Sequence, residues 1–171
     1  MEISVRPTTP ADLAAVDALL ARAFPRLLKD AYPPSVRVTA LPLIARAQPA
    51  LLASGRYFAA EGEWEGERRL LGVGGWSPDR GRPALAHIRH VATAPEVVRR
   101  GVGRALLDWI RTTAGAEGIR SFECLATRNA VPFYASVGFR AEGEVEMALQ
   151  PGITFPAVLM RLDLAAWRGL S

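Results

Sequence analysis

Gly101 and Gly103 stand where a strand-like run ends and an amphipathic helix begins. A turn of this kind exposes backbone N–H groups, lacks Cβ atoms that would keep anionic oxygens away, and meets the partial positive charge of a helix N-terminus. The ligand it suits is a pyrophosphate. Arg99, Arg100 and Arg104 surround the glycines and form the tightest basic group in the chain. A Walker loop is excluded because no Gly-Lys-Ser/Thr follows, and G-x-G-x-x-G fails because Leu106 holds the third glycine position. Taken alone, the glycine pair fits a ligand-free tight turn equally well.

The chain that must position this turn has 171 residues, 50% of them hydrophobic and 22% charged, which fits one α/β domain over 1–171 and excludes a disordered or fibrous polypeptide. All but one of its 21 basic residues are arginine; against 17 acidic residues they give a net charge of +4. The arginines are scattered from Arg6 to Arg168, so the pI near 10.0 is a weak argument for a nucleic-acid partner, and none is expected. The single cysteine, Cys124, allows no intrachain disulfide or Cys-rich metal site and reads as a small core side chain. No apolar run reaches the roughly 18 residues of a membrane span, and the N-terminal residues lack a signal-peptide pattern, so a cytoplasmic location is expected.

Periodicity divides the chain into a short strand at 2–6, a helix bearing Leu13, Val16, Leu19, Leu20, Ala23 and Phe24, and a second helical region at 36–53 that Pro42 and Pro49 should break. Strands follow at 56–61 and 70–76, joined by a charged turn at 62–69, and a third strand runs over 85–93. A helix at 103–116, a strand at 119–125, a short helix at 130–137 and a terminal hairpin of 139–149 with 155–164 complete the order. The fold class is therefore α/β, with a mixed, mostly antiparallel central sheet flanked by helices.

One strand beyond the glycine turn lies Asn129-Ala130-Val131-Pro132-Phe133-Tyr134-Ala135-Ser136-Val137-Gly138-Phe139. Together the two segments resemble the GNAT superfamily of acyl-CoA-dependent N-acyltransferases, whose pattern is R/Q-x-x-G-x-G/A followed by N-x-x-A/P-x-x-F-Y-x-x-x-G-F. Val98 departs from it, standing where arginine or glutamine is usual. The resemblance covers the element order of the whole chain, but in residues it rests on 91–139.

It implies acetyl-CoA or a related acyl-CoA as cosubstrate, with the pyrophosphate over the amides of Arg99, Arg100, Gly101, Val102, Gly103 and Arg104. The pantetheine arm would run along Val91, Ala92 and Thr93 as an added strand, in a gap between the 85–93 and 121–125 strands. Asn129, expected as an N-cap, would also touch the arm, and Tyr134 would protonate or hydrogen-bond the departing thiolate. An acceptor ammonium must lose a proton before attack, and alignment on Gly101 puts His87 where relatives often carry a glutamate base. His90, Glu123 or water are the alternatives.

The resemblance thus implies an N-acetyltransferase moving an acetyl group to a primary amine of a small molecule or peptide by direct attack, without a metal. A homodimer is compatible with this reading. The rival is an acyl-CoA-binding sensor of the same fold without turnover. Tyr32, Tyr57, Phe58, Trp64 and Trp76 could line an acceptor site but read more readily as core, and the proline-rich stretches 24–26 and 32–34 are expected to form a loop over it.

Overall fold

The structure, a computed structural model, describes residues 1–167. In chain order the elements are β1 (Ile3–Pro7), α1 (Leu13–Leu28), α2 (Pro34–Ile44), α3 (Pro49–Leu52), β2 (Tyr57–Trp64), β3 (Glu67–Pro78) and β4 (Leu85–Thr93). They continue as α4 (Val102–Ala116), β5 (Ser121–Ala126), α5 (Val131–Ser136), β6 (Arg140–Gln150) and β7 (Ile153–Asp163). The strands form one seven-stranded sheet in the order β1-β2-β3-β4-β5-β7-β6. Every neighbouring pair is antiparallel except β4 with β5, which α4 connects as a crossover.

Two expectations are corrected. Residues 62–69 are not a long charged turn: β2 and β3 pair as far as Trp64 with Glu67, and only Glu65 and Gly66 turn the chain. Both have positive φ, 54° and 79°, the conformation that joins antiparallel strands through two residues. The charges that resembled a loop are side chains of a strand end open to water. Pro42 does not break its helix, nor does Pro25 within α1. Both prolines are exposed, as are Ala21 and Val38 four residues before them, so the carbonyls that lose a partner face solvent. Only Pro49 acts as expected, opening α3 at its first turn.

α4 packs its apolar face on the sheet: Leu106, Leu107, Ile110 and Ala114 are buried, and a Cβ at Gly72 would stand 2.7 Å from the Val102 side chain. Trp76 on β3 donates its indole N–H to Thr113 Oγ1 at 3.1 Å, tying the middle of the sheet to the last turns of α4. Phe58, Trp76 and Phe122 are almost fully buried in the same cluster. The helix axis is thereby fixed against β3 and β4, which sets where its N-terminal turn points.

Candidate active site

β4 and β5 pair only at Leu85–Ser121, Ala86–Phe122 and His87–Glu123. Beyond that point β4 continues on β3 to Thr93 while β5 continues on β7 to Ala126, so their facing edges part. A bulge in β4 follows the point where the strands part. Val73 pairs with Ala92 but Gly75 with Arg89, which leaves His90 and Val91 opposite Gly74 alone. His90 has φ of 45°, and its carbonyl accepts a 3.0 Å hydrogen bond from the buried Tyr57 hydroxyl. A Cβ at Gly74 would lie 2.9 Å from Val91 Cγ2, so glycine lets the bulge sit close against β3. Val91, Ala92 and Thr93 therefore lie past the bulge, on the strand bordering the gap.

The gap opens toward the N-terminus of α4. Gly101 occupies the cap position at φ 87°, a left-handed conformation that favours glycine. Ala105 N–H returns to Gly101 O at 3.0 Å, whereas the N–H groups of Gly101, Val102, Gly103 and Arg104 have no backbone acceptor among the described residues. These four donors lie together on the turn that the glycine pair marked in the sequence. The two glycines serve it differently. A Cβ on Gly101 would meet nothing within 4 Å, whereas one on Gly103 would lie 2.9 Å from the Phe133 ring. The expectation that both glycines clear space for an anion is thus corrected: Gly103 makes room for α5.

The arginines around the turn are spread apart. Arg99 is exposed with φ of 64°, Arg100 lies over the Trp64 ring at 4.9 Å, and Arg104 donates to Ser136 Oγ at 3.0 Å. Trp64 thus holds an arginine, while Tyr32, Tyr57, Phe58 and Trp76 belong to the core. Tyr134 on α5 is buried between Phe133 and Phe139, and its hydroxyl neighbours the Cys124 thiol on β5. Burial raises both groups, Tyr134 well above the ordinary phenol range and Cys124 up to about 12. Cys124 stands one residue beyond the last β4–β5 pair, which places the Tyr134 hydroxyl beside β5 near the point where the strands part.

Asn129 is exposed and is not the cap of α5. That position belongs to Ala130, because a short 3-10 turn over Arg128–Ala130 precedes the helix. Tyr32 is not part of a free loop either: its hydroxyl donates to Pro156 O at 2.8 Å and accepts from Arg128 N–H at 3.0 Å. Residues 24–26 lie within α1.

His87 lies at the closed end of the gap. Its Nε2 is 2.7 Å from Asp79 Oδ1 and its Nδ1 is 3.8 Å from Glu123 Oε2. Asp79 also accepts from the N–H groups of Gly81 and Arg82 at 3.0 and 2.9 Å. The hydrogen bond from His87, followed by that from Gly81, holds the Asp79 carboxyl well below the usual carboxylate range. As a carboxylate it only accepts, so Nε2 carries a hydrogen, and in the neutral ring the lone pair is left on Nδ1. Glu123 is held by Arg82 at 3.4 Å and Arg161 at 3.1 Å. His90 instead faces Phe24 of α1 edge-on, with Gln48 Nε2 at 3.4 Å, and burial followed by the charge of Arg89 lowers its pKa.

Asp79 is a functional candidate that the sequence reading missed, and Tyr57, read there as core or acceptor-site lining, anchors the bulge at His90 instead. An aspartate two residues before a glycine in a Gly/Pro-rich loop was the available signal for the first. Nothing local marks Tyr57, because its target is a carbonyl 33 residues away.

A family model described as an acetyltransferase (GNAT) domain matches residues 53–141. The chain belongs to the GNAT acetyltransferase family, whose typical cosubstrate is acetyl-CoA. Among similar solved structures, a GCN5-related N-acetyltransferase from Rhodopseudomonas palustris is 22% identical, with TM-score 0.72 over 95% of this chain and 96% of that one. The PaiA N-acetyltransferase from Thermoplasma acidophilum, solved with coenzyme A, is 14% identical with TM-score 0.71 over 95% and 99%. Ard1 from Thermoplasma volcanium is 17% identical with TM-score 0.63, and the whole of each chain is covered. No helix among the described residues is long and apolar enough to cross a membrane.

Proposed function

We propose that this protein is an N-acetyltransferase that moves an acetyl group from acetyl-CoA to a primary amine by direct attack. The observation that carries the reading is the parting of β4 from β5 immediately beyond His87, with a histidine–aspartate pair at the closed end and Tyr134 beside β5 near the point where the strands part. The residues present fit the donor. Four unpaired amides at Gly101–Arg104 suit a pyrophosphate, and Thr127, just past β5, buries a hydroxyl oxygen that has no partner. Val91, Ala92 and Thr93 supply a strand edge for an extended arm. When bound, acetyl-CoA supplies the thioester and removes its thiolate.

Asp79 fixes the His87 ring so that Nδ1 takes the amine proton, directly or through water, and Glu123 faces the imidazolium N–H that results. Tyr134 keeps its proton through the whole working range and shares it with the departing sulfur. Arg99, Arg100 and Arg104 flank the amide turn, and exposed Asn129 flanks the arm. The test is calorimetric titration with acetyl-CoA followed by thiol release across a panel of amines and peptides. Binding with amine-dependent thiol is the expected result. Binding without turnover on any amine would favour the sensor, and no binding would remove the amide turn from the site.

A further inference from the structure

We propose that the acceptor amine carries a carboxylate, which Arg89 recognises; this rests on the acetyltransferase reading and names the substrate class of the same site. A cleft of about 420 Å³ is lined by Ser77, Pro78, Asp79, Arg80, His87 and Arg89. Clefts of this size suit a small molecule better than a protein surface. The Asp79–His87 pair lines it together with Arg89, two residues further along the same strand.

Two arginines that line the cleft, Arg80 and Arg89, pair with no carboxylate among the described residues, and of the two only Arg89 is held by a side-chain hydrogen bond. Arg82 reaches Asp79 and Glu123, and Arg161 reaches Glu123, whereas no carboxylate pairs with Arg89 among the described residues. Its Nε donates to Ser77 Oγ at 2.8 Å, which fixes the plane of the guanidinium and leaves the outer N–H groups without a protein partner. Although the residue as a whole is exposed, its charged end is partly withdrawn from water, and this desolvation lowers its pKa. A guanidinium held in place by Ser77 with its outer N–H groups open can take a ligand carboxylate with little further ordering of the side chain. The planar fork matches a carboxylate in two parallel hydrogen bonds.

Geometry limits the acceptor further. Alternate residues of a strand share a face and stand about 7 Å apart. An amine beside His87 and a carboxylate on Arg89 therefore belong to one short molecule, such as an amino acid with few bonds between the two groups. Among the charged residues that line the cleft, Asp79 lies beside His87 at the amine end and Arg89 lies two residues further along β4, with Arg80 as the other cation, an arrangement that suits an acceptor carrying both an amine and a carboxylate. A bare diamine would place a cation against Arg89.

The experiment compares amino acids with their decarboxylated amines and with the corresponding aminophosphonates, using acetyl-CoA-dependent thiol release by the wild-type protein and by Arg89→Gln. The carboxylated member is expected to have the higher kcat/KM by about 100-fold, the scale of one desolvated charged pair. In Arg89→Gln that ratio should fall below about fivefold through a rise in acceptor KM, with acetyl-CoA KM unchanged. Arg89→Lys should recover part of it, since the charge returns without the fork. Equal use of the decarboxylated amines, a ratio that survives Arg89→Gln, or preference for the phosphonates would overturn the proposal. If no amine releases thiol, calorimetry of the same amino acids against the protein–CoA complex decides. Binding that Arg89→Gln abolishes upholds carboxylate recognition even where transfer fails, and absence of binding rejects it.

Discussion

At the scale of single residues, the site depends on two protonation states set by burial. Tyr134 is enclosed by Phe133, Phe139 and the Cys124 thiol, so its hydroxyl stays protonated where the enzyme works and keeps a hydrogen to donate. Tyr134→Phe is expected to lower kcat about tenfold or more while the calorimetric Kd for acetyl-CoA stays within twofold, because removal of a general acid acts on the transition state. Unchanged kcat would take Tyr134 out of the mechanism. Cys124 gives a second check. Its folded thiol is pushed up to about 12, so below pH ~8.5 both folded and unfolded thiols hold their protons and contribute no pH dependence. Above that pH the unfolded thiol ionises first, and stability should decline as pH rises toward 12. Iodoacetamide at pH 8 should accordingly leave Cys124 unlabelled in the native protein and label it in urea, as mass spectrometry would report; native labelling would show that the α5–β5 contact opens readily.

At the scale of elements, the sequence was most readable where period and punctuation agreed. β4 was legible to the residue, since a Gly/Pro-rich loop precedes Leu85 and Pro95 follows Thr93, and α4 was legible from its apolar stripe between Gly101 and Gly118. The β2–β3 turn was not, because Glu63 and Arg68 are as hydrophilic on a strand end as in a loop. The bulge at His90 and the hydrogen bonds holding it involve β2 and β3, and no local pattern encodes such contacts. The amide turn was legible as a motif, but the reason for its second glycine was not. The two glycines should separate in experiment. Gly103→Ala drives a Cβ against Phe133 and should destabilise the protein by about 1–3 kcal/mol in urea melts, as overpacking does. Gly101→Ala meets open space but positive φ, and should cost about 1 kcal/mol. Gly101→Val should in addition weaken acetyl-CoA binding by crowding the donors. A Gly103→Ala variant as stable as wild type would mean that α5 is free to move aside.

Across the whole molecule, a contiguous buried cluster runs from Val16 in α1 to Leu162 in β7 and includes residues of every strand from β2 to β5. Tyr32 ties the α1–α2 connection to β7 and to the start of α5 at once, so the helices over one face are not independent of the site. We expect residues 1–171 to behave as one cooperative unit. Far-ultraviolet and near-ultraviolet circular dichroism should then give the same melting midpoint, and two separated transitions would divide the chain. The arginine excess belongs to this scale as well. Much of it is spent in exposed ion pairs such as Arg22–Glu96 and Arg128–Glu144, each of which contributes little to stability.

The three pairs between β4 and β5 are the only ladder joining β1–β4 to β5–β7–β6 among the described residues. Mechanically the sheet resembles a garment fastened at one end. Amides of β5 near Cys124 to Ala126 face an unfastened edge on one side, so in the free protein they should exchange with deuterium by local excursions rather than by global unfolding. A ligand lying in the opening as an extra strand would close the seam. Its occupancy should slow exchange on both borders at once and raise the melting temperature with the logarithm of its concentration. Slowing confined to the α4 turn would mean that the ligand is held by its phosphates alone.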